Sequence, residues 1–213
     1  MAPLAPQQAE RVALCDLFEK VGPDAPTLCE GWVTYDLAAH LVIRERKPLS
    51  GPGLVMGGAA ARLTARILAR AKQTHSYPEL VALVRRGPPP GLRPFDKVMN
   101  LTEYFVHHED VRRGGGDNTP RPPAELVAVE AALWKSLPRA GRFMTRPLKG
   151  TGLDLVTPGG DVIHARTETP CATITGTPGE IVLFLSGRKA AALVEFGGPP
   201  EAVEVVRAAK FGL

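Results

Sequence analysis

The sequence predicts an α+β protein, with a four-helix bundle over residues 1–145 followed by a small α+β domain over residues 146–213. Three observations predict it. Up to about residue 140 the apolar residues recur at the three-to-four spacing of amphipathic helices. From Gly150 onward that spacing gives way to short β-rich runs, LDLVT, VIHAR and CATIT, bounded by Pro, Gly and Asp. Behind those runs, TPGE carries the start signal of one more helix.

Each element has its own reason. Leu14, Leu17, Phe18 and Val21 form one helical stripe, which Gly22 and Pro23 close. After the turn-rich stretch Pro23 to Pro26, Thr34 is the expected N-cap of a second helix with Asp36 in its first turn, running through DLAAHLVIRER to Pro48. GPGLVMGG (51–58) reads as a flexible link. A third helix is expected over 59–86, broken at Pro78 and ended by the prolines at 88–90. A fourth carries EYFVHHED and stops at the glycines 114–116, and a fifth covers about 123–138. In the C-terminal part LDLVT and VIHAR flank Pro158, Gly159, Gly160 and Asp161 as a hairpin, with CATIT as a third strand. Thr177 as N-cap, Pro178 at the first helical position and Glu180 as the acid of a capping box predict a short helix over GEIVLFLSG. ALVEF is read as a strand and 200–210 as a last helix; no internal repeat is found.

Composition narrows the function classes. A chain of 213 residues buries a real core, and a formal charge of +4 suits anionic small molecules as readily as nucleic acid. Arg62, Arg66 and Arg70 form a basic stripe, but with few aromatics and no nucleic-acid motif it reads as a solvated face. Cys15, Cys29 and Cys171 are odd in number and widely spaced, without a CxxC pair, so neither a disulfide framework nor a thiolate zinc site is expected. With no basic and apolar leader, and no apolar run near the roughly 20 residues of a membrane helix, the expectation is a cytoplasmic protein, monomer or homodimer, with no membrane or nucleic-acid partner.

The chemistry concentrates in EYFVHHED (103–110). A helix turns about 100° per residue, so Glu103 and His107 share a stripe, with Asn100 one turn earlier on the same side. His108 falls on another stripe with Leu101, Tyr104 and Arg112, without an acid four residues before it. Side chains four apart on a helix are neighbours, so Glu103 and His107 either hydrogen bond to each other or converge on one ion. The spacing alone leaves both readings open. His40 lies between Leu37 and Leu41 on the inward stripe of the second helix, where an imidazole needs a partner. Three protein ligands with one position left for water or substrate are the pattern of a catalytic zinc site. His75 and His164 have no partner at ligand spacing; His164 is expected on the surface of a strand. The cysteines read as packed small hydrophobes, with Cys29 the nearest contender for a further ligand or a redox-sensitive thiol.

TLCEGWVTYDLAAHLVIRERKP (27–48) and NLTEYFVHHEDVRR (100–113) resemble the N-terminal bundle of the mycothiol-dependent maleylpyruvate isomerases and the wider DinB-like superfamily, in particular an actinobacterial branch described as metal-binding proteins. VTPGGDVIHAR, ATITGTPGEIVLFLSGR and ALVEFGG are similar to the small sterol-carrier-like α+β domain behind that bundle. The resemblance implies that His40, Glu103 and His107 bind a divalent metal, usually zinc. It also implies mycothiol or another low-molecular-weight thiol as cosubstrate, reacting with a small-molecule electrophile by isomerisation or S-transfer. Asn100 or Asp110 either orients His107 or the thiol or is a surface or capping group, and Arg188 either binds a substrate carboxylate bidentately or is a helix-terminal charge. GGGD (114–117) departs from the longer junction the resemblance leads one to expect. A noncatalytic metal-binding or sensor protein would carry the same three ligands, and a lipid carrier would need an apolar cavity in the second domain.

Overall fold

A computed structural model describes residues 4–46, 59–91 and 96–212, the side chains of 59–64 and 96–99 excepted. The expected link at 51–58 lies outside the described residues. The chain divides into two compact units, Met1–Thr119 and Pro120–Leu213.

The first unit contains α1 (Pro6–Val21), α2 (Thr34–Arg46), α3 (Ala59–Thr74), α4 (Tyr77–Arg86) and α5 (Asp96–Arg113). α1 packs on α4 and α5, and α2 on α3 and α4. The core gathers Leu14, Phe18, Leu37, Leu41, Leu80, Val84 and Tyr104. α1 ends at Gly22, where φ is +81° and the amide bonds back to Phe18. Thr34 does not cap α2: its hydroxyl donates to the Gly22 carbonyl at 2.5 Å, tying the start of α2 to the end of α1. The start of α2 is instead secured by Asp36 of its first turn, whose Oδ2 accepts from the amide of Val33, the residue before the helix, at 3.2 Å. The third expected helix is two helices, and the break falls at His75–Ser76, before Pro78. Ser76 and Glu79 form a capping box there, with the Ser76 amide donating to Glu79 Oε2 at 2.7 Å.

α1 and α5 are more polar inside than a stripe of apolar residues predicts. Glu10 accepts from His108 Nδ1 at 3.0 Å, and Arg113 Nε meets Glu109 Oε2 at 2.6 Å. Glu45 of α2 takes Arg11 at 2.9 Å and the Tyr104 hydroxyl at 2.6 Å, while Arg11 lies 4.6 Å over the Tyr104 ring. Glu10–His108 and Glu45–Arg11 pair across helices and Arg113–Glu109 pairs within α5, so these buried charges are partnered, as burial requires.

The second unit contains α6 (Pro123–Met144), β1 (Gly152–Val156), β2 (Val162–Arg166), β3 (Cys171–Thr175), α7 (Pro178–Leu185), β4 (Glu195–Gly197) and α8 (Pro200–Ala208). The sheet order is β2-β1-β3-β4, with β1 parallel to β3 and antiparallel to β2, and β3 antiparallel to β4. The hairpin is as expected, with Val156 opposite Val162. α6 packs on α7 and β2, so the units divide at 119/120, whereas the compositional boundary near 145 falls at the end of this helix. α6 also runs past Pro138 to Met144 because Leu133, Leu137 and Gly141 continue one buried stripe, Gly141 lying over Leu155 and Ala165. That packing outweighs the hydrogen bond the proline removes. The Thr177 hydroxyl accepts from the Glu180 amide at 3.5 Å, while Glu180 Oε2 accepts from the Leu193 amide at 2.8 Å. This bond draws residue 193 out of a ladder and confines β4 to Glu195–Gly197, shorter than the ALVEF strand expected.

Candidate metal centre

α2 and α5 bring the predicted residues together. His40 Nε2 lies 3.2 Å from Glu103 Oε1, and His107 Nε2 lies 3.1 Å from the same oxygen. The three ligand atoms are all within 4.8 Å of one another, and the imidazole centroids are 5.2 Å apart. A tetrahedral ion with bonds of about 2.0 Å separates neighbouring ligand atoms by roughly 3.3 Å. Two of the three edges therefore stand within tenths of an ångström of that figure, and the donor set of two imidazoles and one carboxylate fits a borderline divalent ion.

The supports of each ligand follow from local sequence. His107 Nδ1 lies 2.8 Å from Asp110 Oδ2, one turn on, which also accepts from Cys29 Sγ at 3.2 Å. A carboxylate can only accept, so Asp110 holds a proton on Nδ1 and leaves Nε2 to face Glu103 and His40. Asp110 is fully buried and its carbonyl also accepts from the Leu28 amide at 3.0 Å, so the 26–33 loop is latched to α5. Gly114 permits this closeness: a Cβ there would stand 2.2 Å from the Pro26 carbonyl oxygen. The departure GGGD is thus the place where α5 meets the loop carrying Cys29. Trp32 of that loop lies 5.3 Å, centroid to centroid, from His40.

Burial acts on the three candidate ligands in different directions. It is the largest influence on His40 and pushes its pKa below the ordinary 6.5, against the hydrogen bond to Glu103. It would also lower His107 and raise Glu103. Hydrogen bonds to Asp110, Cys29 and Glu103 instead hold His107 well above 6.5, and those from His107 and His40, with the charge of Arg44, hold Glu103 well below 4.5. Both shifts favour the charged pair, a carboxylate on Glu103 and a proton shared with it by His107.

Asn100 does not meet His107. Its Oδ1 accepts from Arg44 Nη1 at 2.6 Å and its Nδ2 donates to Glu45 Oε1 at 3.4 Å. Arg44 Nε in turn lies 2.9 Å from Glu103 Oε1. Arg44 was not singled out in the sequence, although it follows His40 by one turn on the same stripe. Arg188 lies in the second unit, with Nη1 donating to the Ser186 carbonyl at 2.6 Å, as a charge closing the end of α7. His108 is buried against Glu10, so its acidic partner comes from another helix. His164 is exposed, with Nδ1 2.7 Å from Asp154 Oδ1 on the neighbouring strand. Cys15 is buried with its thiol pushed up to about 12, an inert packing group. Arg66 and Arg70 are exposed. Among the described residues a second ligand group, Cys29, His107 and Asp110, surrounds the other nitrogen of His107. No described helix is long and apolar enough to cross a membrane.

No family model matches the chain, and no curated protein matches it. Among solved structures it is similar to the crystal structure of the mycothiol-dependent maleylpyruvate isomerase, at 14% identity and a TM-score of 0.59, over 92% of this chain and 93% of that one. At that identity the likeness speaks for the backbone and not for the chemistry, and the conclusion it carries is that this chain has the fold of the mycothiol-dependent maleylpyruvate isomerase.

Proposed function

We propose that the chain is a divalent-metal-dependent enzyme using a low-molecular-weight thiol, as a mycothiol-dependent isomerase or an S-transferase. The observation that carries the reading is the convergence of His40 Nε2 and His107 Nε2 on one oxygen of Glu103. The fold likeness to a protein that is mycothiol-dependent supports the thiol. Zinc is the ion the donor set suits best.

His40 and His107 would hold the ion as neutral imidazoles and Glu103 as its one anionic ligand. Asp110 keeps the His107 proton on Nδ1, so that Nε2 serves as ligand. An ion held there supplies Lewis-acid stabilisation of a thiolate, the nucleophilic form of the cosubstrate. The group has three members among the described residues, which supports a position left for that thiol. Cys29 lies with Asp110 on the Nδ1 side of His107, which argues against it as fourth ligand to an ion on Nε2.

The test is cobalt substitution. One cobalt per chain is expected, with a spectrum that an added small thiol perturbs increasingly as pH rises through the thiol's ionisation. A spectrum that no thiol alters, already carrying a cysteine-sulfur band, would favour a noncatalytic metal-binding or sensing protein.

A further inference from the structure

Resting on the function proposed above, we infer that Arg44 is a positioning charge of the metal centre: it weakens the hold on the ion and strengthens the hold on an anionic thiolate at the ion's open position. The argument begins with exposure. The two imidazole side chains are 8% and 9% exposed, whereas Glu103 is 18% and Arg44 23% exposed. Among the described residues, the more open side of the ligand group is therefore that of Glu103 and Arg44.

The guanidinium on that side is held in place. Glu45 can only accept, so the Asn100 amide must turn its NH2 group toward Glu45 and its carbonyl oxygen toward Arg44, which can only donate. Asn100 is buried, and Glu45 is itself fixed by Arg11 and Tyr104. The chain Glu45, Asn100, Arg44, Glu103 thus delivers a permanent cation to the oxygen that both imidazoles approach. A solvated surface arginine would need no such buried scaffold.

Two effects of opposite sign follow. Arg44 draws charge from Glu103 and repels a divalent ion beside it, so the ion binds less tightly. The same positive field favours any anion that completes the ion's coordination. A residue needed only for folding would, when replaced, lower both affinities together.

The experiment uses the full chain as wild type, Arg44→Gln and Arg44→Lys. Cobalt affinity is measured by competition with a chelator, and 2-mercaptoethanol affinity from the cobalt spectrum at one fixed pH. Arg44→Gln should bind cobalt about tenfold more tightly and the thiol about tenfold more weakly, the scale of one partly exposed charge at contact range. Arg44→Lys, which keeps the charge but not the fork, should fall between. Both affinities falling together, or neither changing, overturns the inference, and Arg44→Lys decides if Arg44→Gln does not fold. Failure of the function itself reads differently: the cobalt-loaded wild type then shows no response to thiol at any concentration, which overturns both.

Discussion

Exchanging His107 and His108 for alanine in turn separates the proposed ligand from a scaffold residue that is its neighbour in sequence. His107→Ala removes one of two imidazoles from the ligand group, and stoichiometric zinc should be lost. His108→Ala should keep the metal and lose stability. The His108 ring is 9% exposed and its partner, the Glu10 carboxylate, 3% exposed, with 3.0 Å between them. A hydrogen bond to a charged group is worth about 1.5–3 kcal/mol, and losing it from a buried carboxylate places the cost within that range. For a chain of this size about 2–4 °C of melting temperature accompanies each kcal/mol, so the midpoint should fall by about 3–12 °C. The assay is elemental analysis of both variants, then thermal melts in chelator so that bound metal does not add to the apparent stability. Retention of metal by His107→Ala with its loss from His108→Ala would refute the assignment of the two stripes. An unchanged midpoint for metal-free His108→Ala would refute the structural role of the Glu10 pair.

Five further outcomes are expected. Asp110→Asn should weaken metal binding about 10- to 100-fold by releasing the His107 ring, read by chelator competition. Gly114→Ala should be destabilising and should also weaken metal binding, because its Cβ meets Pro26 backbone at 2.2 Å and forces the latched loop away; calorimetry and metal affinity check both. Metal affinity should rise with pH up to the raised pKa of His107, since the ion must displace its proton; proton release on binding, seen by calorimetry in buffers of different ionisation heat, tests this. In the metal-free protein the stability from His107 is full below 6.5 and lost as pH rises through its folded pKa, while that from Glu103 is present above 4.5 and lost as pH falls. Limited proteolysis between 114 and 122 should leave a fragment of residues 1–119 that still binds metal, because all three proposed ligands precede the division.

The parts legible in the sequence are those set by local rules. Helix stripes, the Gly22 stop, the Pro158–Asp161 hairpin and the Thr177 cap depend on neighbours within a turn, and they stand where periodicity and turn chemistry place them. That Glu103 and His107 share a stripe and that His40 faces inward were legible from helical spacing, while the grouping of the three came from the resemblance; the structure brings their side chains together. Elements decided by distant partners were not. α6 outruns Pro138 because the sheet covers Leu137 and Gly141, and β4 is short because Glu180 takes the amide of residue 193. Arg44 was passed over for the same reason: an arginine late in a helix reads as a solvated end charge until Asn100, from α5, is seen to bond it and to be held in turn by the neighbouring Glu45.

The polarity of α5 follows from the same requirement. A helix that buries Asn100, His107, His108, Glu109, Asp110 and Arg113 has no single apolar face and would be a poor packing element by itself. It is stable where it lies because α1 offers Glu10, α2 offers His40 and Arg44, and the 26–33 loop offers Cys29 and the Leu28 amide. Glu103 shows why such a helix suits a metal centre. In the metal-free state its Oε1 already has His40, His107 and Arg44 around it, so the carboxylate is never buried without partners. A divalent ion held there would take the place of the imidazole protons at that oxygen, with Arg44 still beside it, so the fold supplies the carboxylate with partners in either state.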